Sequence, residues 1–92
     1  MSRHARAIGY IVLPHGGYPD TAADYVYCPT RADAEAQLVD YGYLDNPGVY
    51  CYVMVKGDSP ESVIESLASS PDPYPDYVIE RGPRGGIVWS AA

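Results

Sequence analysis

Residues 48–56, GVYCYVMVK, decide the architecture of this 92-residue chain. The apolar part, residues 49–55, contains no charge, glycine or proline, as is typical of a central β-strand. Because successive side chains of a strand point to opposite faces, the stretch divides into two sets. One set is Val49, Cys51, Val53 and Val55, and the other is Tyr50, Tyr52, Met54 and Lys56. The sequence therefore predicts one small, β-branched face suited to helix packing and one aromatic face.

Working outward from this strand, strand composition and helix-capping residues predict the other elements. Further strands are predicted at residues 8–13, 25–28, 77–80 and 87–89. Thr30 is the predicted N-cap of a helix that runs from residue 31 to about residue 41 and ends at Gly42. Ser59 followed by Pro60 predicts the start of a second helix, which ends before residue 71.

The resulting order, β-β-α-β-α-β-β, indicates a single α+β domain over residues 1–92. We expect a two-layer sandwich in which a sheet of four or five strands carries both helices on one face. Strand–helix–strand connections favour parallel neighbours, which would give a mixed sheet. An antiparallel sheet of the ferredoxin-like type is the alternative.

The amino-acid composition limits the kinds of function that this chain is expected to have. The chain has ten Tyr, one Trp and no Phe, a bias that favours half-exposed surfaces and interfaces. All twelve acidic residues lie between residues 20 and 80, where only Arg31 and Lys56 oppose them. General binding to nucleic acid is therefore not expected, because that binding depends on neutralising phosphates.

An interaction surface is predicted on the aromatic face of the central strand. If both helices cover the Val and Cys face, the aromatic face needs another cover. The predicted interaction residues are Tyr10, Tyr25, Tyr27, Tyr50, Tyr52 and Met54. Three interpretations stay open: a sheet surface covered by the loops at residues 14–24 and 71–76, an interface with another protein or a second copy, and stacking of nucleobases. The acidic surroundings disfavour the last.

A second candidate site is the turn between the last two predicted strands. Arg81 and Arg84, with Gly85 and Gly86, are the predicted anion-binding residues, since guanidinium groups beside exposed amides suit an anion. A glycine-rich hairpin with solvated arginines is the alternative. Neither a catalytic set nor a metal or cofactor site is predicted, and the two cysteines, Cys28 and Cys51, are expected to be buried free thiols.

The sequence therefore predicts a small non-catalytic protein-interaction domain that binds a protein partner or a second copy of itself through an acidic, Tyr-rich surface. A small-ligand or nucleotide-binding module that uses Arg81 and Arg84 is the alternative. We expect a cytoplasmic protein with no membrane association, since no segment is apolar enough to span a bilayer. The Ala-, Gly-, Pro-, Asp- and Arg-rich composition is typical of a GC-rich genome, such as that of an actinobacterium or its phage, and suggests modulation of a host protein.

Overall fold

The computed structural model describes residues 6–13, 24–38, 48–70 and 74–92. Within these ranges the elements are β1 (Ala7–Leu13), β2 (Val26–Cys28), α1 (Arg31–Glu35), β3 (Val49–Val55), α2 (Pro60–Ser69), β4 (Tyr77–Arg81) and β5 (Ile87–Ala91). The α+β class and the order β-β-α-β-α-β-β are therefore confirmed. Strand ends differ from the predicted ones by at most two residues, as is usual for element boundaries.

The five strands form one sheet in the order β2-β1-β3-β4-β5, and all four pairings are antiparallel. β3 lies at the centre, as its apolar sequence predicts. The antiparallel pairing of the alternative is confirmed, and the mixed sheet is wrong. β1 separates β2 from β3, so the connection through α1 joins two strands that are not neighbours. The connection through α2 returns the chain to the end of the sheet where β3 finishes, so β4 runs antiparallel beside it.

The helices lie on opposite faces of the sheet, which corrects the expectation that both share one face. From α1 and the residues after it, Ala34 and Leu38 pack in one cluster with Val49 and Cys51. From α2, three partly buried side chains pack against the opposite cluster; they are Val63, Ile64 and Leu67. That cluster contains Tyr52 and Met54 of β3. The central strand is therefore covered on both sides. We call the side with Val49 and Cys51 the α1 face and the side with Tyr52 and Met54 the α2 face.

Both helices begin at the predicted capping residues. The hydroxyl of Thr30 accepts a hydrogen bond from the backbone N–H of Asp33 at 3.1 Å. Ser59 accepts one from the backbone N–H of Ser62 at 3.2 Å, and Pro60 occupies the first helical position. These caps satisfy N–H groups that have no partner inside the helix, so the sequence determines both starting points locally.

The first helix is shorter than the predicted span of residues 31 to about 41. It ends at Glu35, and beyond Ala36 the amides of Gln37 and Leu38 donate to carbonyls three residues earlier. Such bonds tighten the last turn and end the α-helical geometry. The predicted terminus at Gly42 lies outside the described residues, as does nearly all of the loop predicted at residues 14–24. Within the described ranges, neither helix is long and apolar enough to cross a membrane.

Gly48 directly precedes β3, at a position where an added side chain has no room. A Cβ atom at this position would lie 2.5 Å from Cγ1 of Val78 and 3.0 Å from the carbonyl oxygen of Ile79. Both neighbours belong to β4. The glycine therefore permits close approach of β3 and β4, which brings the β4–β5 hairpin against the rest of the sheet.

Candidate protein-interaction edge

The structure buries most of the predicted aromatic surface. Tyr25, Tyr52 and Met54 are 5%, 4% and 2% exposed, and Tyr50 is partly buried in the same cluster beneath α2. The rings of Tyr25 and Tyr52 pack edge to face with centroids 6.1 Å apart. These residues form an apolar core with α2, which corrects the prediction that they present an interaction surface.

The other two predicted interaction residues do not extend one shared surface. Tyr10 lies opposite Val53 of β3, so it belongs to the α1 face rather than to the face of Tyr52. Tyr27 is 43% exposed on the edge strand β2, with its ring beside Gly9. The sequence correctly predicts how side chains alternate along each strand. Which side chains of two neighbouring strands share a face depends on the pairing register.

The strongest exposed candidate lies instead along β5, which occupies one edge of the sheet and, among the described strands, pairs with β4 alone. Hydrogen bonds at the two ends of the hairpin determine which backbone groups of β5 face outward. The N–H of Gly82 donates to the carbonyl of Gly86, and the N–H of Ala92 donates to the carbonyl of Asp76. Antiparallel strands alternate between hydrogen-bonded and non-hydrogen-bonded pairs.

Counting residue pairs along the register from either of these hydrogen bonds gives the same assignment of inward and outward backbone groups. Residues 86, 88, 90 and 92 direct their backbone groups toward β4. The N–H and C=O groups of Ile87, Trp89 and Ala91 therefore point away from the sheet. No strand in the described part of the chain pairs with them. The edge presents peptide groups in the arrangement that another strand requires.

The side chains of β5 do not protect this edge. Ile87 and Val88 are 40% and 43% exposed, on opposite faces of the sheet. The strand, IVWSA, has no charged residue and no proline, which are the usual devices that prevent strands from adding to an edge. β5 is thus an apolar, half-exposed strand with free backbone groups, which is the chemistry of a strand-addition site.

The side chain of Trp89 packs on the α1 face and connects this edge strand to α1. Its indole N–H donates to Oε2 of Glu35 at 2.6 Å, and the guanidinium carbon of Arg31 lies 4.3 Å from its ring centroid. The rings of Tyr77 and Tyr10 meet it edge to face at 5.7 and 5.5 Å. Because both tyrosines belong to strands on the inner side of β5, the indole leans toward the sheet and leaves the outer edge clear.

Charged residues lie near both ends of the β4–β5 hairpin. Arg81 and Arg84 are exposed at the hairpin end. Asp76 lies at the other end, where its Oδ2 accepts a hydrogen bond from the backbone N–H of Val53 at 2.7 Å. The Asp76 carboxylate is therefore turned toward β3, away from the outer edge of β5.

The predicted anion-binding turn is a compact hairpin connection. Gly85 adopts a φ of 84°, and the N–H groups of Gly82 and Gly85 donate to carbonyl oxygens within the turn. Those two amides are therefore engaged by the turn itself. Arg81, Arg84 and Gly86 are exposed beside them, and binding of an anion there stays a prediction.

The two cysteines are free and buried, and both belong to the cluster beneath α1. Burial, followed by Asp76 and Cys28, raises the pKa of Cys51 to about 12, and Arg31 opposes this shift. Burial, followed by Asp33, also raises the pKa of Cys28. Thiols in this state are poor nucleophiles. Among the described residues, no group of His, Cys, Asp and Glu is arranged to hold a metal ion.

The sequence contains a signal for the β5 edge, since residues 87–91 have neither charge nor proline. That signal is not specific, because a strand in the middle of a sheet has the same composition.

Comparison of this chain with protein-family models, with curated proteins and with solved structures gave no match. Any functional assignment therefore rests on the chemistry of the residues themselves.

Proposed function

We propose that this protein is a small, non-catalytic protein-interaction domain that binds an extended strand along the free edge of β5. The observation that carries the proposal is the outward direction of three peptide groups, those of Ile87, Trp89 and Ala91, on a strand without charge or proline. A partner strand gains affinity from main-chain hydrogen bonds and selectivity from alternate side chains.

Apolar contact adds to the hydrogen bonds. Ile87 and Val88 are both more than one third exposed, and a bound strand would cover one on each face. Burial of apolar area contributes about 25 cal/mol per Å². Each main-chain hydrogen bond adds a net of about 0.5–1.5 kcal/mol, since water must be displaced from both partners.

Rigidity of the edge further supports binding. Trp89 is held by Glu35, Arg31 and two tyrosine rings, so the central residue of β5 is anchored before a partner arrives. A preorganised edge loses little conformational entropy on binding, which leaves more of the interaction energy as affinity.

We propose the cytoplasm as the site of action, with a second copy of this protein or a host protein as the partner. Two free, buried thiols, Cys28 and Cys51, support a reducing compartment. The composition typical of a GC-rich genome makes an actinobacterial lysate the first place to seek the target.

Affinity capture with a variant that blocks the edge tests the proposal. Ala91→Pro removes an N–H that points outward and takes no part in pairing with β4. Ala91→Ser keeps that N–H and is the matched control. We expect the tagged wild type and tagged Ala91→Ser to capture the same partner, a host protein or an untagged copy of this chain, and Ala91→Pro to lose it while its circular dichroism is unchanged. Equal capture by a folded Ala91→Pro variant would contradict strand addition.

A second control addresses the opposite edge of the sheet. Tyr27 on β2 is 43% exposed, so Tyr27→Lys places a charge on the other edge strand without opening the core. We expect capture to persist in this variant. Loss of capture in Tyr27→Lys, with retention in Ala91→Pro, would move the interaction to β2.

A further inference from the structure

We infer that the strand which occupies the β5 edge is β5 of a second copy, paired antiparallel about a two-fold axis at Trp89. This inference rests on the proposed function, because it names the partner of the same edge. The pairing would join two five-stranded sheets into one continuous sheet across the dimer.

The backbone of β5 is complementary to itself. The outward-facing residues 87, 89 and 91 are spaced symmetrically about Trp89. In an antiparallel pairing centred there, Trp89 meets Trp89 of the second copy, and Ile87 meets Ala91 of the second copy. Each of these hydrogen-bonded residue pairs exchanges two hydrogen bonds, so the two strands form about six hydrogen bonds.

The side chains fit the same register. On the α1 face, the half-exposed Ile87 would lie beside the small Ala91 of the second copy. On the α2 face, Val88 would lie beside Ser90 of the second copy. Large residues therefore meet small ones on both faces. Trp89 leans toward Tyr77 and Tyr10, so the two indole rings do not compete for the space at the axis.

Charge within the paired strands does not oppose this arrangement. No residue of β5 itself is charged, so the paired strands place no like charges opposite each other. The net charge of -6 on each copy acts over longer distances. Salt screens it beyond about 8 Å at physiological ionic strength.

The geometry also predicts that assembly stops at two copies. A two-fold pairing uses the same edge of both molecules and leaves β2 at each end of the combined sheet. β2 has only three residues, Val26–Cys28. Such a short edge offers few free peptide groups for further addition.

Solution mass tests the inference directly. We expect light scattering after size exclusion to give twice the monomer mass of 10.0 kDa for the wild type and for Ala91→Ser. Ala91→Pro is expected to be monomeric and folded. Val88→Lys, which adds like charges near the axis, is also expected to be monomeric. A wild type that stays monomeric up to about 1 mM, or a dimer that persists in both folded edge variants, would overturn the inference.

Hydrogen exchange gives a second readout that identifies the surface. The outward amides of Ile87, Trp89 and Ala91 are expected to exchange slowly in the wild-type dimer and rapidly in a folded Val88→Lys variant. Rapid exchange of these amides in a wild-type dimer would place the interface elsewhere and overturn the inference. A monomeric wild type whose capture of another protein is lost in Ala91→Pro would refute self-pairing while leaving strand addition, the proposed function, in place.

Discussion

Trp89 donates its indole N–H to Oε2 of Glu35 at 2.6 Å, a hydrogen bond between residues 54 positions apart in the chain. It connects the last strand with the first helix on the α1 face. The contact bears on the proposed function because Trp89 is the central residue of the β5 edge. A substitution at Glu35 should therefore alter the packing of Trp89 on β5, although Glu35 itself lies on α1.

Removal of this acceptor should destabilise the fold. Glu35→Ala leaves a partly buried indole N–H unpaired, and we expect the free energy of unfolding to fall by about 1–2 kcal/mol. Glu35→Gln keeps an acceptor and should lose less. Urea unfolding monitored by fluorescence of Trp89, the single tryptophan, measures both variants. Glu65→Ala, an exposed acid on α2, is the control, and equal losses in all three variants would refute the role of the contact.

Tyr25→Phe should stabilise the protein. The Tyr25 side chain is 5% exposed, and its buried hydroxyl has no hydrogen-bond partner among the residues that the structure describes. Because an unpaired buried polar group costs about 1–3 kcal/mol, removal of the hydroxyl should raise the free energy of unfolding by about 1 kcal/mol. Thermal unfolding measures the change. The same substitution at Tyr74, which is 79% exposed, should have no effect. A lower melting temperature for Tyr25→Phe would indicate that the hydroxyl is satisfied.

Gly48→Ala should destabilise the junction of β3 and β4. The added methyl group would lie 2.5 Å from Cγ1 of Val78 and 3.0 Å from the carbonyl oxygen of Ile79, so one strand must shift. We expect a loss of about 1–3 kcal/mol in the free energy of unfolding. Gly86→Ala is the control, since a Cβ there meets nothing within 4 Å. If chemical denaturation finds the two variants equally stable, the close approach at Gly48 is not required.

Alkaline pH should destabilise the wild type through Cys51. Burial raises the pKa of this thiol from an ordinary value of 9.0 to about 12. The folded state therefore keeps its proton where the unfolded state loses it, so the free energy of unfolding falls as pH rises from about 9 toward 12. Cys51→Ala removes the ionisable group and should fall less steeply over this window, despite lower stability at neutral pH. Parallel pH profiles for the two proteins would contradict the assignment.

The sequence by itself determined the local features of this protein. Thr30 and Ser59 cap their helices as predicted, because a cap depends on residues within one turn. Residues 49–55 form the central strand, and their alternation correctly separates Cys51 from Tyr52. These features follow from the periodicity of a strand or helix and from short-range hydrogen bonds.

Only the tertiary structure decided which face each helix covers and which strand is left at the edge. Tyr10 lies beside Trp89 rather than Tyr52 because its partner in the register is Val53. β5 is an edge because the order β2-β1-β3-β4-β5 ends there, although its composition also suits an interior position. Register and strand order depend on contacts between residues far apart in the chain, and local residue patterns do not specify them.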